Sequence, residues 1–563
     1  MRLFWLAASG FFSLACLLPN HYYPWPAFWQ DLAAGVGLAL LFLSVRPWRP
    51  GVWSVPSVAI IVFLIACLPL LQWRLGEIFY FGDAFVASFY LVGFGLAVAL
   101  PSVDSGSNAL VKSVLGALLS AALISVGLAL VQWLRLDGLG IFLADFSEGG
   151  RPYANLAQPN QLATLLMLGV VATLALFQQR VLGRFSYCIV TGWLMLGIAM
   201  TQSRTTWLAM ALLVAWLLWV SKGVQLRVGR LAVAVMGCGY AVFVVAWPMV
   251  SKALFLAPGR TLADQASGGV RLELWSILLD AVGRAPWSGY GWNQTSVAQI
   301  RVAADHAATG SWVEDSHNLL IELLVMNGIP IGGLIAMGIC VWFWRRAVHC
   351  TDPQVSLAIG AVLVVGVHAM LEFPLDYAYF LLPVGIVVGY IEANVPAGKS
   401  VVMSAKFPLI LGLVMSLLLA RVAMEYADIE SRNRALRFEM AGFGAPTDLG
   451  PVVPVHLLTQ LEELPKFART LARRDMSRPE LEGMRKMAER YAYPPVLFRY
   501  ALAAGLNGDP ETASRMLRVL CHVHSAERCE EGRAAWDLMG NGAYPELKNI
   551  SMPPAEIDTR SAP

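Results

Sequence analysis

The residue in this 563-residue chain best suited to proton chemistry is His317, in the run Glu314-Asp315-Ser316-His317-Asn318-Leu319-Leu320-Ile321-Glu322, where a polar loop meets an apolar helix. Imidazole accepts a proton near neutral pH, and a neighbouring carboxylate such as Asp315 can orient it or raise its basicity. A lone histidine at such a place is ordinarily a cap or a core residue. The crowding of ionisable side chains at the edge of an apolar run favours chemistry instead.

Two arginines complement it. Arg204 is the only charge in the short turn Thr201-Gln202-Ser203-Arg204, and Arg271 opens an amphipathic stretch that continues through Leu274, Trp275 and Leu278. Each has an ordinary reading, as an interfacial anchor or a solvated helix residue. Together they are what a departing pyrophosphate requires, because guanidinium groups bind phosphate oxygens in pairs. The glycines of Ser288-Gly289-Tyr290-Gly291-Trp292 make a tight turn and not a dinucleotide fingerprint, since no strand precedes them and no third glycine follows at the right spacing.

Two more clusters suit binding. Arg151-Pro152-Tyr153-Ala154-Asn155-Leu156-Ala157-Gln158-Pro159-Asn160-Gln161 packs four amides into seven residues at the start of an apolar run. Asn155 alone suits a structural cap, whereas Gln158 and Asn160, with Arg151, suit sugar hydroxyls or another polar ligand. Downstream, His368, Glu372, Tyr377 and Tyr379 surround Phe373-Pro374-Leu375-Asp376. The aromatics fit an interfacial belt, but Glu372 beside Pro374 is a candidate binding acid.

The elements that must hold these groups are membrane spans. The chain is 57% hydrophobic and 14% charged, which excludes an ordinary soluble protein, a disordered chain and a coiled coil. A formal charge of +3 gives no reason to expect nucleic acid. Counting roughly 17 to 25 apolar residues per crossing, about thirteen spans begin near Leu3, Leu32, Val55, Ala84, Leu110, Ala157, Phe185, Thr205, Arg230, Ile329, Gln354, Tyr379 and Phe407. The first lacks a small-x-small cleavage site before Pro19 and reads as an uncleaved span.

With a cytoplasmic amino terminus, the inner loops hold Arg46, Arg49, Lys112, Arg180, Arg184, Lys222, Arg227, Arg230, Arg345, Arg346, Lys399 and Lys406. The short outer loops hold Arg74, Arg135, Arg151 and Arg204, so the positive-inside bias sets the orientation. All of these polar clusters and the tail then face outward. The expected organisation is an all-α polytopic membrane protein: a bundle of about nine spans over 1–250, a large outer loop over 251–328 carrying the reactive segment, further spans over 329–424, and an outer helical domain over 425–563.

That tail shows helical periodicity in Glu480 to Tyr491 and Val496 to Leu506, which predicts stacked hairpins. Leu497, Tyr500, Ala501, Ala504, Gly505, Asn507, Asp509, Ala513 and Met516 match one tetratricopeptide-type (TPR-like) unit without a second clear repeat. The stretch after Asn541 reads as loosely ordered. Cys521-His522-Val523-His524-Ser525-Ala526-Glu527-Arg528-Cys529 admits a metal site or a disulfide. Outside the cytoplasm thiols oxidise, so a Cys521–Cys529 disulfide is expected and no metal centre.

Several of these segments resemble the bacterial family of O-antigen ligases, Wzy-type O-antigen polymerases and O-oligosaccharyltransferases, most closely its pilin-glycosylating (PglL-type) branch. The resemblance covers most of the chain and rests on residues 151–166, Ser203-Arg204, Asp315-Ser316-His317-Asn318-Leu319, and His368 through Phe380. Gln161 stands where that branch more usually has His, so no proton chemistry is assigned to it.

The resemblance implies a GT-C-type helical fold in the bacterial inner membrane, with the loop and tail in the periplasm. It implies a glycosyltransferase without a cofactor that moves a preassembled glycan from undecaprenyl pyrophosphate to a Ser or Thr of a pilin-like or other exported protein. Carried onto this chain, His317 is the base, Arg204 and Arg271 hold the pyrophosphate, and Gln158 and Tyr377 contact glycan or acceptor. Two guanidiniums doing the work of a cation imply metal-independent transfer, and a direct single displacement implies inversion of the anomeric centre. A ligase to lipid A core or a polymerase needs the same donor chemistry and differs in acceptor. A lipid-linked glycan flippase would instead show two-fold repetition and charges deep within spans, whereas here no repeat is evident and the polar groups crowd at one face. The tail then serves as an acceptor-docking module or as a brace for the outer loops.

Overall fold

The computed structural model describes residues 2–45, 52–103, 107–136, 138–146, 150–156, 158–254, 271–394, 400–404, 406–444, 452–550 and 552. Arg46, Arg49, Lys399, the expected span start Ala157, residues 255–270 of the large loop and the end of the tail lie outside them.

Helices dominate because the apolar runs can satisfy their backbone groups in lipid only internally. In chain order they are α1 (Arg2–Leu17), α2 (Phe28–Leu43), α3 (Ser57–Ile65), α4 (Leu68–Leu75), α5 (Phe81–Ala99), α6 (Ser107–Trp133), α7 (Pro159–Gln178), α8 (Arg184–Thr201), α9 (Arg204–Val220) and α10 (Arg230–Ala253). After the large loop's α11 (Arg271–Arg284) and α12 (Thr295–Ala303) come α13 (Leu319–Val348), α14 (Pro353–Ala369), α15 (Ala378–Asn394) and α16 (Phe407–Met440). The tail adds α17 (Thr459–Arg469), α18 (Arg478–Arg490), α19 (Pro494–Leu506), α20 (Pro510–Val523) and α21 (Ala526–Asn541). Among the described residues, eight helices are long and apolar enough to cross a membrane, and five shorter apolar helices fall at Leu3–Leu17, Phe28–Leu43, Arg204–Val220, Pro353–Ala369 and Ala378–Asn394.

The all-α expectation needs one correction. Val52–Pro56 (β1) pairs antiparallel with Ser400–Ser404 (β2), Ser54 opposite Val402. Both are short, valine-bearing loop segments, and buried Trp53 fastens the ribbon by donating its indole N–H to Ala99 O at 3.1 Å.

The chain forms two compact units, one of residues 1–66, 89–267 and 339–424, the other of 67–88, 268–338 and 425–563. In the first, α7 is buried along nearly its whole length and packs against α6, α8 and α14. Loop contacts there sort into two sets. His21 pairs with Asn155 O (2.8 Å), Arg151 with Thr201 O (3.3 Å) and Asn160 with Glu372 (2.9 Å), all in loops or at helix ends assigned outward. Arg227 pairs with Phe177 O (2.6 Å), Gln179 with Gln354 (2.9 Å) and β1 with β2, all in loops or at helix ends assigned inward. Each pairing joins loops separated by an even number of expected crossings.

The second unit gathers three segments that the sequence assigns to one side. Its pivot is a break in α13 at Gly328 (φ 70°, ψ 177°), followed by Pro330, which has no N–H to give Met326 O. Gln72 Nε2 (2.9 Å) and Gly291 N (3.1 Å) donate to that oxygen instead, and Tyr290 N donates to Val325 O (2.8 Å). This close approach requires glycine: a Cβ on Gly289, at φ +69°, would lie 2.4 Å from Val325 O. The break marks where polar-edged helix gives way to the span expected near Ile329.

The tail helices form around Leu497, Ala501, Ala503, Ala513, Leu517 and Leu520, all nearly or fully buried. α19 and α20 pack against each other, and their neighbours include α12 of the large loop. The described part of the stretch after Asn541 is more ordered than expected: a 3-10 turn spans Pro545–Asn549, Leu547 is buried, and Trp536 Nε1 donates to Ile550 O at 3.0 Å.

Candidate active site

In the first unit the amide segment meets the 372–379 hairpin. Gln158 is the N-cap residue of α7 but does not cap it with its side chain. Its Nε2 lies 3.4 Å from Glu372 Oε2, while Asn160 Nδ2 donates to Oε1 at 2.9 Å. Glu372 is buried, so two amide donors offset part of the desolvation of its carboxylate. Pro374, in the 3-10 turn Pro374–Asp376, sets the reversal that brings Glu372 there.

Tyr377 is half-buried, its ring 6.2 Å from Phe373 and 5.2 Å from Tyr379. Tyr379 donates its hydroxyl to Gln161 Oε1 (2.8 Å), and His368 Nδ1 lies 2.7 Å from Thr164 Oγ1. The structure thus joins Gln158, Asn160 and Glu372, and places Tyr377 next to Gln161's partner. Asp31, an acid inside an apolar helix, fixes the hairpin's exit by accepting from Ala378 N (2.7 Å) and Tyr90 OH (2.7 Å). Sequence reasoning passed over it, although a lone acid in a span is a signal.

Arg151 donates to Thr201 O and Gln202 O, each at 3.3 Å, at the carbonyl end of α8, where the helix dipole attracts a cation. It therefore ties the amide segment to the Arg204 turn. Arg204 is the first residue of α9 and half-buried. Asn155 is structural: it donates to Leu17 O (2.7 Å) and Phe142 O (2.9 Å) and accepts from Ala144 N (3.0 Å).

In the second unit Arg271 is the first residue of α11, and Trp275 one turn later donates its indole N–H to Ser316 O at 2.9 Å. That bond places α11 beside the His317 loop. Asn318 starts α13, its Oδ1 accepting from Leu320 N (3.0 Å) and Ile321 N (3.2 Å). Glu322, one turn in, accepts Ser316 N at 2.6 Å and the hydroxyl of Thr295. His317 itself is half-buried, with Asp315 half-buried before it.

His317 adopts φ 54°, in the left-handed region. Gln202 (φ 47°) and Ala154 (φ 52°) do the same in two of the other motif segments, as do Arg135, Arg180, Asn293 and Asp475 outside them. A side chain there costs about 1–3 kcal/mol and persists only where surrounding bonds over-determine it, a pattern concentrated at functional sites.

Compared with known proteins, the chain is 30% identical over 544 residues to a general O-oligosaccharyltransferase of Acinetobacter baylyi, covering 93% of this chain and 92% of that one. The chain belongs to the O-oligosaccharyltransferase family. It is accordingly a glycosyltransferase. A ComP-specific O-oligosaccharyltransferase of the same organism is 29% identical over 393 residues, 69% of this chain and 71% of the relative.

Three family models match successive parts of the transferase: a protein glycosylation ligase model at 152–177, an O-antigen ligase model at 187–337, and the C-terminal model of a virulence factor membrane-bound polymerase at 356–538. The first takes in Gln158 and Asn160, the second Arg204, Arg271 and His317, the third Glu372, Tyr377 and most of the tail.

The tail holds what sequence reasoning missed. Arg490 is buried against Asp83, with Nη2 3.1 Å from Oδ1, and its Nη1 lies 3.4 Å from Glu314. Burial works against its charge, but Asp83, Tyr491 and Glu314 outweigh it and hold the guanidinium pKa well above the ordinary value. Further along, Cys521 and Cys529 are joined in a disulfide. The histidines between them face backbone carbonyls, His522 Nδ1 at 2.9 Å from Ala303 O and His524 Nε2 at 2.7 Å from Ala492 O.

Proposed function

We propose that the transferase moves a preassembled oligosaccharide from undecaprenyl pyrophosphate to a Ser or Thr hydroxyl of a pilin-like or other exported protein, at the periplasmic face of an inner membrane crossed thirteen times. The observation that carries this reading is the similarity across 93% of the chain to a general O-oligosaccharyltransferase. His317 on its strained loop and the two arginines supply the chemistry.

In the proposed step the acceptor hydroxyl oxygen bonds to the anomeric carbon as the bond from that carbon to the pyrophosphate oxygen breaks. The hydroxyl proton passes to an imidazole nitrogen of His317. Negative charge gathers on the pyrophosphate, and Arg204 and Arg271 neutralise it, so transfer is metal-independent. One displacement inverts the anomeric centre. Gln158, Asn160 and Glu372 with Tyr377 present amide, carboxylate and ring surfaces of the kind that bind sugar or an acceptor segment, and Asp315 orients His317.

The match of residues 356–538 to a membrane-bound polymerase model keeps a second reading in view, in which the acceptor is another glycan or lipid A core. Reconstitution with a lipid-linked glycan in excess chelator separates the readings. Modification of a pilin-type protein is expected. Transfer only to lipid A core or to another glycan would replace the proposal, and a requirement for added Mg²⁺ or Mn²⁺ would overturn its metal-free step.

A further inference from the structure

The loop that carries His317 is fastened on both sides. Behind it, Ser316 N donates to Glu322 at 2.6 Å, and Asn318 N and Ser316 Oγ lie 3.2 Å apart. Ahead of it, Glu314 accepts from Arg490 at 3.4 Å, and the same guanidinium reaches Asp83 at the start of α5. Asp83 is itself placed, since its carbonyl accepts from Asn293 Nδ2 at 3.2 Å.

One helix links the two fastenings. Ser296 in α12 donates its hydroxyl to Arg490 O (2.7 Å), while the preceding Thr295 gives its hydroxyl to Glu322. Arg301, later in α12, pairs with Glu489 at 3.1 Å. The remainder of the loop is also held from the tail: Thr309 N (2.9 Å) and Gly310 N (3.0 Å) donate to His522 O, and Trp312 packs edge-on against Tyr493 at 4.9 Å.

We propose that Arg490 is a positioning residue for glycan transfer, holding the His317 loop through Glu314 while anchored on Asp83. This rests on His317 being the proton acceptor. Arginine suits the task because its rigid fork engages two carboxylates at once, which an ammonium does not. His317 sits at φ 54°, a conformation that needs such external bonds, and a shift of about 1 Å at a reacting group costs on the order of a hundredfold in rate. Residues 425–563 are then part of the frame of the catalytic loop and not a detachable acceptor arm.

The test uses the full chain in liposomes, with Glu314→Gln as its centre, because that change takes the charge out of the link to the loop, weakening it, and leaves the Arg490–Asp83 pair intact. Expected for Glu314→Gln are a kcat reduced about tenfold or more, KM for donor and acceptor within about threefold, an unchanged melting temperature and faster hydrogen exchange confined to residues 311–318. Arg490→Lys should fall between wild type and Arg490→Gln; if the glutamine variant does not fold, the lysine variant and Glu314→Gln carry the test. Wild-type kcat in Glu314→Gln beside an inactive His317→Ala overturns the positioning role alone. An active His317→Ala overturns the proton-acceptor reading and this proposal with it.

Discussion

Asn160 donates its side-chain amide to Glu372 across 2.9 Å, joining two segments 212 residues apart in the chain. Gln158 approaches the other carboxylate oxygen of Glu372, so a buried acid is matched to two amides from the start of α7.

Glu372→Gln should lower both transfer and stability. An amide in place of the carboxylate offers one acceptor oxygen and turns an N–H toward Asn160 or Gln158, removing a charge-assisted bond worth about 1.5–3 kcal/mol. Asn160→Asp should be worse than Asn160→Ala, because it sets a second carboxylate against Glu372. Melting in detergent and a transfer assay measure this; variants indistinguishable from wild type would make the contact inert.

His317→Ala should reduce transfer by about 10²-fold or more while insertion and melting stay near wild type, since loss of a general base costs on that order. Near-normal glycosylation would remove His317 from the mechanism.

Arg204→Lys and Arg271→Lys should each lose most activity, because a point charge does not reproduce a bidentate phosphate contact. Steady-state kinetics with varied donor would detect it. Two fully active lysine variants would leave these arginines with anchoring roles.

The tail should lose stability in mild acid through His524. Burial, chiefly, pushes its pKa below the ordinary 6.5, with Arg528 adding to the effect and the Ala492 carbonyl opposing it. The unfolded chain therefore takes up a proton first as pH falls. The stability contribution is complete above about 6.5 and is lost as pH drops from there through the folded value. Hydrogen exchange of α19 and α20 in the full chain, compared between pH 7.5 and 5.5, should show this, and His524→Gln should flatten the dependence.

Breaking the Cys521–Cys529 disulfide should destabilise the tail by roughly 2–3 kcal/mol, the loop-closure value for a separation this short. Because His522 O inside the bridged turn accepts from Thr309 and Gly310, their amides should exchange faster in Cys529→Ser. Unchanged protection at both positions would show that the turn holds without the bridge.

Lipid forces a chain to bond its own backbone locally, so the apolar runs near Leu110, Phe185 and Arg230 read directly as helices, and α6, α8 and α10 lie there. His317, the amide segment and Glu372 were legible for a related reason: polar groups at the edge of an apolar run are costly unless used. The break at Gly328 was half legible, since Pro330 signals a missing N–H, whereas the Gly291 and Gln72 donors that receive the freed Met326 carbonyl come from other segments.

The pairing of β1 with β2 and the Arg490–Asp83 contact, spanning 407 residues, left no trace in periodicity or spacing. Arg490 ends a helix rich in charge, and Asp83 is one acid near the start of a span; neither predicts the other. Local patterning determined which residues could do chemistry and which segments had to be helical. Which distant carboxylate each arginine or amide would meet was decided only in the folded chain, because the desolvation that makes such pairings necessary exists only once tertiary packing has excluded water.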